Sequence, residues 1–350
     1  MNDTVLVTGA TGFIAQHCIV QLLEAGYNVR GTARSTDRNA EVKAILAASL
    51  STAAKSHLDE RFQIVTADLT SDEGWSAAVA GCKFVQHVAS PFPRKVPKNS
   101  DELIRPAREG VLRVLRAASD AGVERVVLTS SLAAVTYGHE QDHVFTEADW
   151  SNIDSSHIGA YEKSKTLAER AAWEFMASRN AGSRLELVAI NPGLVLGPLL
   201  SSDWGTSGEL VKLILDGAYP AVPNVYFSMV DVRDVAAAHL AAMTVPEAAG
   251  QRFICAEGGH SMREVAAILA ERIGPLGFKV TTRKMPDSVM RAIALFDKTA
   301  KLAINNLGNN HRFDTSSIRH TLAWTPRPLE DMVVSMAESM ITHGVVKPKT

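Results

Sequence analysis

A tyrosine and a lysine four residues apart, Tyr161 and Lys165, are a pair whose types and spacing suit acid–base chemistry. They lie in a stretch with helical periodicity, where residues at this spacing share one helix face. A phenol with its ordinary pKa of about 10 is a poor acid–base group at neutral pH. A nearby ammonium favours the phenolate and lowers that pKa. The pair is also common on solvated helix faces, so it predicts catalysis only together with a group that holds the reacting oxygen.

Such a group follows the apolar run at residues 125–129. Ser131 can donate a hydrogen bond to a substrate carbonyl and stabilise the oxyanion that develops there. Ser130 is the neighbouring candidate. Either serine can instead satisfy backbone groups at the end of the strand.

A glycine turn lies at residues 8–12, between the first strand-like run and the first helical stretch. Gly9 allows a tight turn, and Gly12 lets the backbone approach a pyrophosphate at the helix N-terminus. Ala15 stands where the dinucleotide-binding fingerprint has its last glycine, a position that accepts a small residue. An ordinary strand–helix turn is the alternative, but the strand before and the helix after favour a dinucleotide site.

The end of the second strand indicates which dinucleotide is bound. A site for NAD usually carries an acidic residue here for the ribose hydroxyls, and no acid occurs between Tyr27 and Thr36. Arg34 instead offers a guanidinium suited to a 2′-phosphate, and Arg38 can supplement it. Either arginine can also be a solvated loop residue. Asp68, after the third strand, can accept from an adenine amino group or cap the helix that follows.

Strands and helices alternate through the first half of the chain. This order predicts an α/β fold, a Rossmann-type doubly wound parallel sheet with a smaller, irregular C-terminal substrate-binding lobe. We assign residues 1–192 to an NADP-binding domain to which 227–257 return, and 193–226 and 258–350 to the lobe. The predicted strands span 4–8, 27–33, 62–67, 84–88, 125–129 and 185–190, and the predicted helices 12–25, 41–55, 103–121, 160–178 and 231–243.

Composition excludes several classes of protein. The 36 basic and 38 acidic residues give a net charge of −2, which disfavours a nucleic-acid binder. The three cysteines, Cys18, Cys82 and Cys255, form no CxxC pair, so we expect no metal site and no disulfide framework. No signal peptide or membrane-spanning run is visible, and we expect a cytoplasmic location.

Seven segments together resemble the extended short-chain dehydrogenase/reductase family. Within it, the chain is similar to the group of NADPH-dependent carbonyl reductases that contains the dihydroflavonol, cinnamoyl-CoA and yeast methylglyoxal reductases. The segments are TGATGFIAQH (8–17), GTARS (31–35), HVASPF (87–92), RVVLTSSLAAV (125–135), AYEKSKTLAERAAWEF (160–175), NPGLVLGP (191–198) and VDVRDVAAAHL (230–240).

The resemblance implies that Ser131, Tyr161 and Lys165 form a catalytic triad. It implies that NADP(H) contacts Tyr161 and Lys165 as well. Two departures matter: residues 107–111 lack the helical asparagine of classical members, and the C-terminal third resembles the family weakly. The further implied cofactor contacts are Gly9, Thr11, Gly12, Phe13, Ile14, Arg34, Asp68, Leu69, Ala89, Pro192 and Val195.

The resemblance leaves three functions open. The first is an NADPH-dependent reduction of aldehydes or ketones, in which Tyr161 gives the proton. The second is an NAD-dependent nucleotide-sugar epimerase or dehydratase, which Arg34 disfavours. The third is a non-catalytic NADP(H)-binding protein.

The sequence identifies the substrate-binding residues less clearly than the cofactor-binding residues. The candidate lining residues suggest a hydrophobic or aromatic small-molecule carbonyl, although plain core packing explains most of them equally. We expect a monomer or homodimer without a nucleic-acid or membrane partner. The lining candidates are Phe92, Pro93, Tyr137, Leu199, Trp204, Tyr226, Phe227 and Met229.

Overall fold

Seven short apolar segments form one parallel sheet in the computed structural model of the chain. The structure describes residues 2–91, 99–139, 143–156, 158–179, 184–296 and 307–348. The strand order is β10-β7-β5-β4-β1-β2-β3, so the chain runs outward from β1 on one side and then crosses to β4. The seven strands are β1 (Thr4–Val7), β2 (Asn28–Ala33), β3 (Phe62–Thr66), β4 (Phe84–His87), β5 (Arg125–Thr129), β7 (Glu186–Pro192) and β10 (Arg252–Cys255).

Helices cover both faces of this sheet. On β1, Val5 and Val7 enter one hydrophobic cluster and Leu6 enters the other, as expected when successive side chains point to opposite faces. The first cluster packs against α1 (Phe13–Glu24), α2 (Asn39–Ser49) and α9 (Val232–Thr244). The second packs against α5 (Trp75–Val79), α6 (Asp101–Asp120) and α7 (Ala160–Ala177).

A second packing unit lies beyond the sheet. Three strands pair in the order β11-β9-β8. Three helices share with β8 and β9 a cluster that we call the lobe core, which contains Met229, Met262, Met332, Met336 and Met340. The elements are β8 (Leu194–Leu196), α8 (Gly208–Leu215), β9 (Tyr226–Asp231), β11 (Gly259–Ser261), α10 (Met262–Arg272) and α13 (Leu329–Thr342).

The remaining elements are short. The strands β6 and β12 pair in parallel, and the short helices lie along the connections between larger elements. They are α3 (Thr52–Lys55), α4 (Leu58–Arg61), β6 (Val144–Phe145), α11 (Asp287–Ile293), β12 (Arg312–Phe313) and α12 (Ser316–Thr321).

The structure confirms the predicted α/β fold class, and the six predicted strands lie within a residue or two of the observed ones. The predicted helix at 41–55 is two helices, because the chain is extended at Leu50 and Ser51 caps α3. The domain boundaries stay a prediction. Ile318, Leu322 and Trp324, which the sequence assigns to the lobe, pack in the first cluster of the main sheet. Within the described part of the chain, every helix is too short or too polar to cross a bilayer.

Candidate active site

The glycine turn joins β1 to α1, and a hydrogen bond within the backbone closes the turn. Gly9 has φ +73°, a left-handed conformation that favours glycine. The Gly12 N–H donates to the Gly9 carbonyl at 2.8 Å. Thr32 on β2 anchors the turn, since its hydroxyl accepts from the Gly9 N–H at 3.1 Å. The turn is therefore held in place from the neighbouring strand.

The turn lies where the strand order reverses, between β1 and β4, which is where doubly wound sheets bind ligands. A Cβ built on Gly9 would lie 3.1 Å from the Cβ of Ala89, just after β4. A Cβ on Gly31 would lie only 2.6 Å from the Cβ of Ala10. We did not predict this role of Gly31 from the sequence, although a glycine inside a strand signals a close backbone approach.

The N-terminus of α1 is open to a ligand. Its N-cap residue Gly12 is extended, the first turn carries no acid, and among the described residues no side chain caps this end. Such an end has free N–H donors and attracts an anion. Phe13 is half-buried and contacts both the first cluster and the lobe core, while Ile14 packs on the first cluster. Thr11 lies in the turn itself and accepts weakly from Gln16 at 3.4 Å through its carbonyl.

The two arginines near the end of β2 are held differently. Arg38 forms a bidentate pair with Glu41, with two contacts of 2.7 Å. Arg34 is exposed, and its charge helps to hold the pKa of Asp68 below its ordinary value, after the larger effect of hydrogen bonds from Thr70. Arg34 is thus the better placed to meet a ligand anion.

Asp68 does not cap a helix. Its Oδ1 accepts from the Thr70 N–H at 2.8 Å and from the Thr70 hydroxyl at 2.7 Å, whereas Gly74 occupies the N-cap of α5. The adjacent Leu69 is half-buried and packs on α6, where a Cβ added to Gly110 would lie 3.0 Å from its Cβ.

The structure brings the three predicted catalytic side chains to one place. A hydrogen bond joins the side chains of Tyr161 and Ser131, and the Ser131 hydroxyl also accepts from the Ala133 N–H at 3.1 Å. Burial raises the pKa of Tyr161, the Ser131 hydrogen bond lowers it, and the carboxylate of Glu162 raises it. The net direction is upward, so our prediction of a lowered phenol pKa is wrong: burial dominates.

Lys165 lies one helical turn after Tyr161 and is half-buried. Burial lowers its pKa to about 8, against an opposing effect of Glu169. It lines a small cavity with room for about one water molecule. The other lining residues are Ala89, Ser90, Pro91, Ala107, Val111, Leu128, Thr129, Ser130, Ala168 and Glu169.

The buried end of β7 lies beside the lobe. Pro192 pairs with Cys255 of β10, and Val195 on β8 pairs with Val230. A Cβ on Gly193 would lie 2.2 Å from the Ser228 carbonyl oxygen, so glycine is required for this close approach. Pro192 and Val195 are both buried, which leaves only part of their surface for a ligand.

His87 is a buried residue that we did not place in the site. Its Nδ1 lies 2.9 Å from the Thr8 hydroxyl. Burial lowers its pKa to about 3, so the ring is neutral at pH 7. A buried neutral ring held by a hydrogen bond fits a structural role for His87.

The candidates for substrate contact divide into two sets. Leu199 and Met229 are buried in the lobe core, which favours the core-packing alternative for both. The four other described candidates are half-buried, and the sequence-predicted Phe92 and Pro93 lie outside the described residues. The half-buried candidates are Tyr137, Trp204, Tyr226 and Phe227.

Comparison with known proteins identifies the family of the chain. The family model "NAD dependent epimerase/dehydratase family" matches residues 5–256. A cinnamoyl-CoA reductase (CAD2) of Medicago truncatula is 38% identical over 283 residues, covering 77% of this chain and 81% of that protein. The NADPH-dependent methylglyoxal reductase GRE2 of Saccharomyces cerevisiae is 36% identical over 290 residues, covering 77% and 82%.

A solved structure gives the same result for the fold. Yeast methylglyoxal/isovaleraldehyde reductase Gre2 complexed with NADPH superposes with a TM-score of 0.78 at 30% identity, covering 98% of this chain and 100% of that one. The chain therefore belongs to the NAD dependent epimerase/dehydratase family, the extended short-chain dehydrogenases/reductases.

Proposed function

We propose that the protein is an NADPH-dependent oxidoreductase that reduces the carbonyl group of an aldehyde or ketone to an alcohol. The observation that carries the proposal is the hydrogen bond between Ser131 and Tyr161, with Lys165 one turn away, at the sheet edge where the glycine turn lies. The reductase relatives and the NADPH complex of the yeast enzyme support it.

The residues present fit NADPH. The free N–H groups at the start of α1 would hold the pyrophosphate beside Gly9 and Gly12. Arg34 would hold the 2′-phosphate, because Arg38 is already paired with Glu41. When bound, NADPH supplies the hydride that reduces the carbonyl carbon.

The catalytic side chains have separate tasks. Ser131 donates to the carbonyl oxygen and holds it next to the Tyr161 hydroxyl. Burial keeps the phenol protonated at neutral pH, so Tyr161 has a proton to give as charge develops on that oxygen. The Lys165 ammonium then stabilises the phenolate that remains.

The two alternatives are less well supported. A nucleotide-sugar epimerase that retains NAD would be expected to carry an acid at the end of β2, where this chain has Arg34. A non-catalytic NADP(H)-binding protein would not need a phenol, a hydroxyl and an ammonium at one sheet edge.

The test is turnover of a carbonyl panel. We expect oxidation of NADPH, followed by absorbance, with aromatic or hydrophobic aldehydes and ketones, and much slower oxidation of NADH. Purified protein that carries tightly bound NAD and turns over no carbonyl compound would support the epimerase instead. Normal NADPH binding without turnover of any carbonyl would support the non-catalytic alternative.

A further inference from the structure

A buried carboxylate, Glu169, lies one helical turn beyond Lys165 on α7, and the reaction proposed above does not use it. Its side chain is 1% exposed. Each of the two carboxylate oxygens accepts more than one hydrogen bond, so the position of the carboxylate is fixed. The donors are Ser130 Oγ at 2.5 Å, Arg252 Nε at 2.6 Å, Asn191 Nδ2 at 2.7 Å and Trp173 Nε1 at 3.2 Å.

Arg252, the cationic partner, is itself fixed. It donates to the carbonyl oxygens of Glu147 at 2.7 Å and Asp149 at 2.9 Å. Its guanidinium lies 3.7 Å from the ring centroid of Trp150. A buried ion pair with further hydrogen bonds on both partners is rigid and costly to break. The carboxylate therefore cannot move toward Lys165.

Glu169 and Lys165 line the same cavity, and among the described residues Lys165 has no direct ion pair. Ala107 and Val111 of α6 contribute apolar surface to the same cavity. The polar residues at this cavity are Lys165 and Glu169 of α7, Thr129 and Ser130 at the end of β5, and Ser90 after β4, and among them Glu169 is the carboxylate. With room for about one water molecule, the cavity permits a bridge between ammonium and carboxylate.

We propose that Glu169 is a positioning residue of this site: its fixed carboxylate, acting through water in the cavity, keeps the Lys165 side chain charged and directed to the end of β5. This inference rests on the proposed reductase function for its effect on turnover. Its effect on Lys165 itself can be measured without turnover.

Glu169 is charged near Lys165, whereas the neighbouring His87 and Tyr161 are neutral at pH 7. On its own helix, Glu169 favours the ammonium, and burial opposes it. On β4, His87 is neutral near pH 7 because burial lowers its pKa to about 3. Tyr161 is protonated at neutral pH. Within the described residues, Glu169 is thus the anion that supports the charge on Lys165.

The test is Glu169→Gln, which keeps the shape and removes the charge. An opposite charge at close range typically shifts a pKa by about 1–3 units, so we expect the alkaline limb of kcat to move down by about one pH unit. Near pH 6, turnover should approach that of the wild type. A merely structural role would instead lower Tm and reduce kcat equally at all pH values, which would overturn the proposal.

Arg252→Gln is the matched control, because it breaks the same ion pair from the end that does not line the cavity. We expect it to lower Tm but to leave the alkaline limb in place. If Glu169→Gln does not fold, the double variant Glu169→Gln/Arg252→Gln removes both buried charges and should show the same downward shift. An unshifted limb in the double variant would overturn the proposal.

Competitive acetylation of Lys165, read by peptide mass spectrometry as a function of pH, separates this inference from the function. The reactive neutral amine should appear at lower pH in Glu169→Gln than in the wild type. That shift without carbonyl turnover in the wild type would refute the reductase and retain the role of Glu169. An unchanged titration would refute the role of Glu169 whatever the turnover.

Discussion

The edge of the main sheet and the lobe core are held together by different forces. At the edge, buried polar groups meet at fixed distances: Thr8 and His87 at 2.9 Å, and Ser130 and Glu169 at 2.5 Å. The lobe core contains five of the ten methionines of the chain. Methionine is unbranched and adapts to irregular spaces.

We propose that this difference separates catalysis at the sheet edge from substrate selection by the lobe. Hydrogen bonds at the sheet edge constrain direction as well as distance, and proton transfer needs both. A methionine-rich core constrains volume more than direction, so it can adjust to the molecule next to it. We therefore expect substitutions at the edge to change turnover and substitutions in the lobe to change preference among substrates.

Among the substitutions in this series, Lys165→Ala should have the largest effect, a loss of turnover. By the proposed mechanism, loss of the ammonium would remove support for the phenolate and a contact to the cofactor, so kcat should fall about 10²-fold or more and NADPH should bind more weakly. Lys163→Ala is the control, since it removes a lysine of the same helix two residues away, on another face. Equal losses in the two variants would contradict the special position of Lys165.

The next largest effect should be on the preference for NADPH over NADH when Arg34 is replaced. Arg34→Asp should lower the ratio of kcat/KM for NADPH over NADH by about 10–100-fold, because losing a charge pair costs a few kcal/mol. Arg38→Asp is the comparison, since Arg38 is already paired with Glu41. A larger effect from Arg38 than from Arg34 would reverse the assignment.

Acid should lower the free energy of unfolding through three buried histidines. Burial lowers the pKa of His17 and His239 to about 4 and of His87 to about 3. Below pH 6.5 the unfolded chain binds protons that these folded-state residues do not, so the free energy of unfolding falls as pH falls. Each can contribute about 1–2 kcal/mol between pH 7 and 5.

Urea unfolding at several pH values measures this loss. We expect His239→Gln to flatten the dependence on pH, and the exposed His320→Gln to leave it unchanged. A wild-type stability that is the same at pH 5 and pH 7 would show that these rings are not kept neutral by the fold.

The smallest effect should be in the lobe. Trp204 is half-buried and donates to Glu209 at 2.9 Å. Trp204→Ala should change relative rates within a carbonyl panel by about fivefold, as expected for lost apolar contact worth about 1 kcal/mol, with little change in the Kd of NADPH. A uniform loss for all substrates, with a lower Tm, would indicate core packing instead.

The sequence was sufficient to predict the elements and site residues whose role depends on neighbours close in the chain. The strands, the glycine turn and the spacing of Tyr161 and Lys165 are local patterns, and the structure has each of them. The sequence was insufficient to predict contacts between residues far apart in the chain. Glu169, for example, forms its ion pair with Arg252, which lies 83 residues later. The raised pKa of Tyr161 was missed for the same reason, since burial depends on the whole fold.

Tyr161→Phe tests directly whether Tyr161 gives the proton, because it removes only the phenolic hydroxyl. The measurement is the single-turnover rate of NADPH oxidation with saturating carbonyl substrate, alongside a fluorescence titration of NADPH. We expect a rate lower by about 10²–10⁴-fold with a nearly unchanged Kd for NADPH. A Tyr161→Phe rate within threefold of the wild type, with the chemical step shown to limit both, would contradict it.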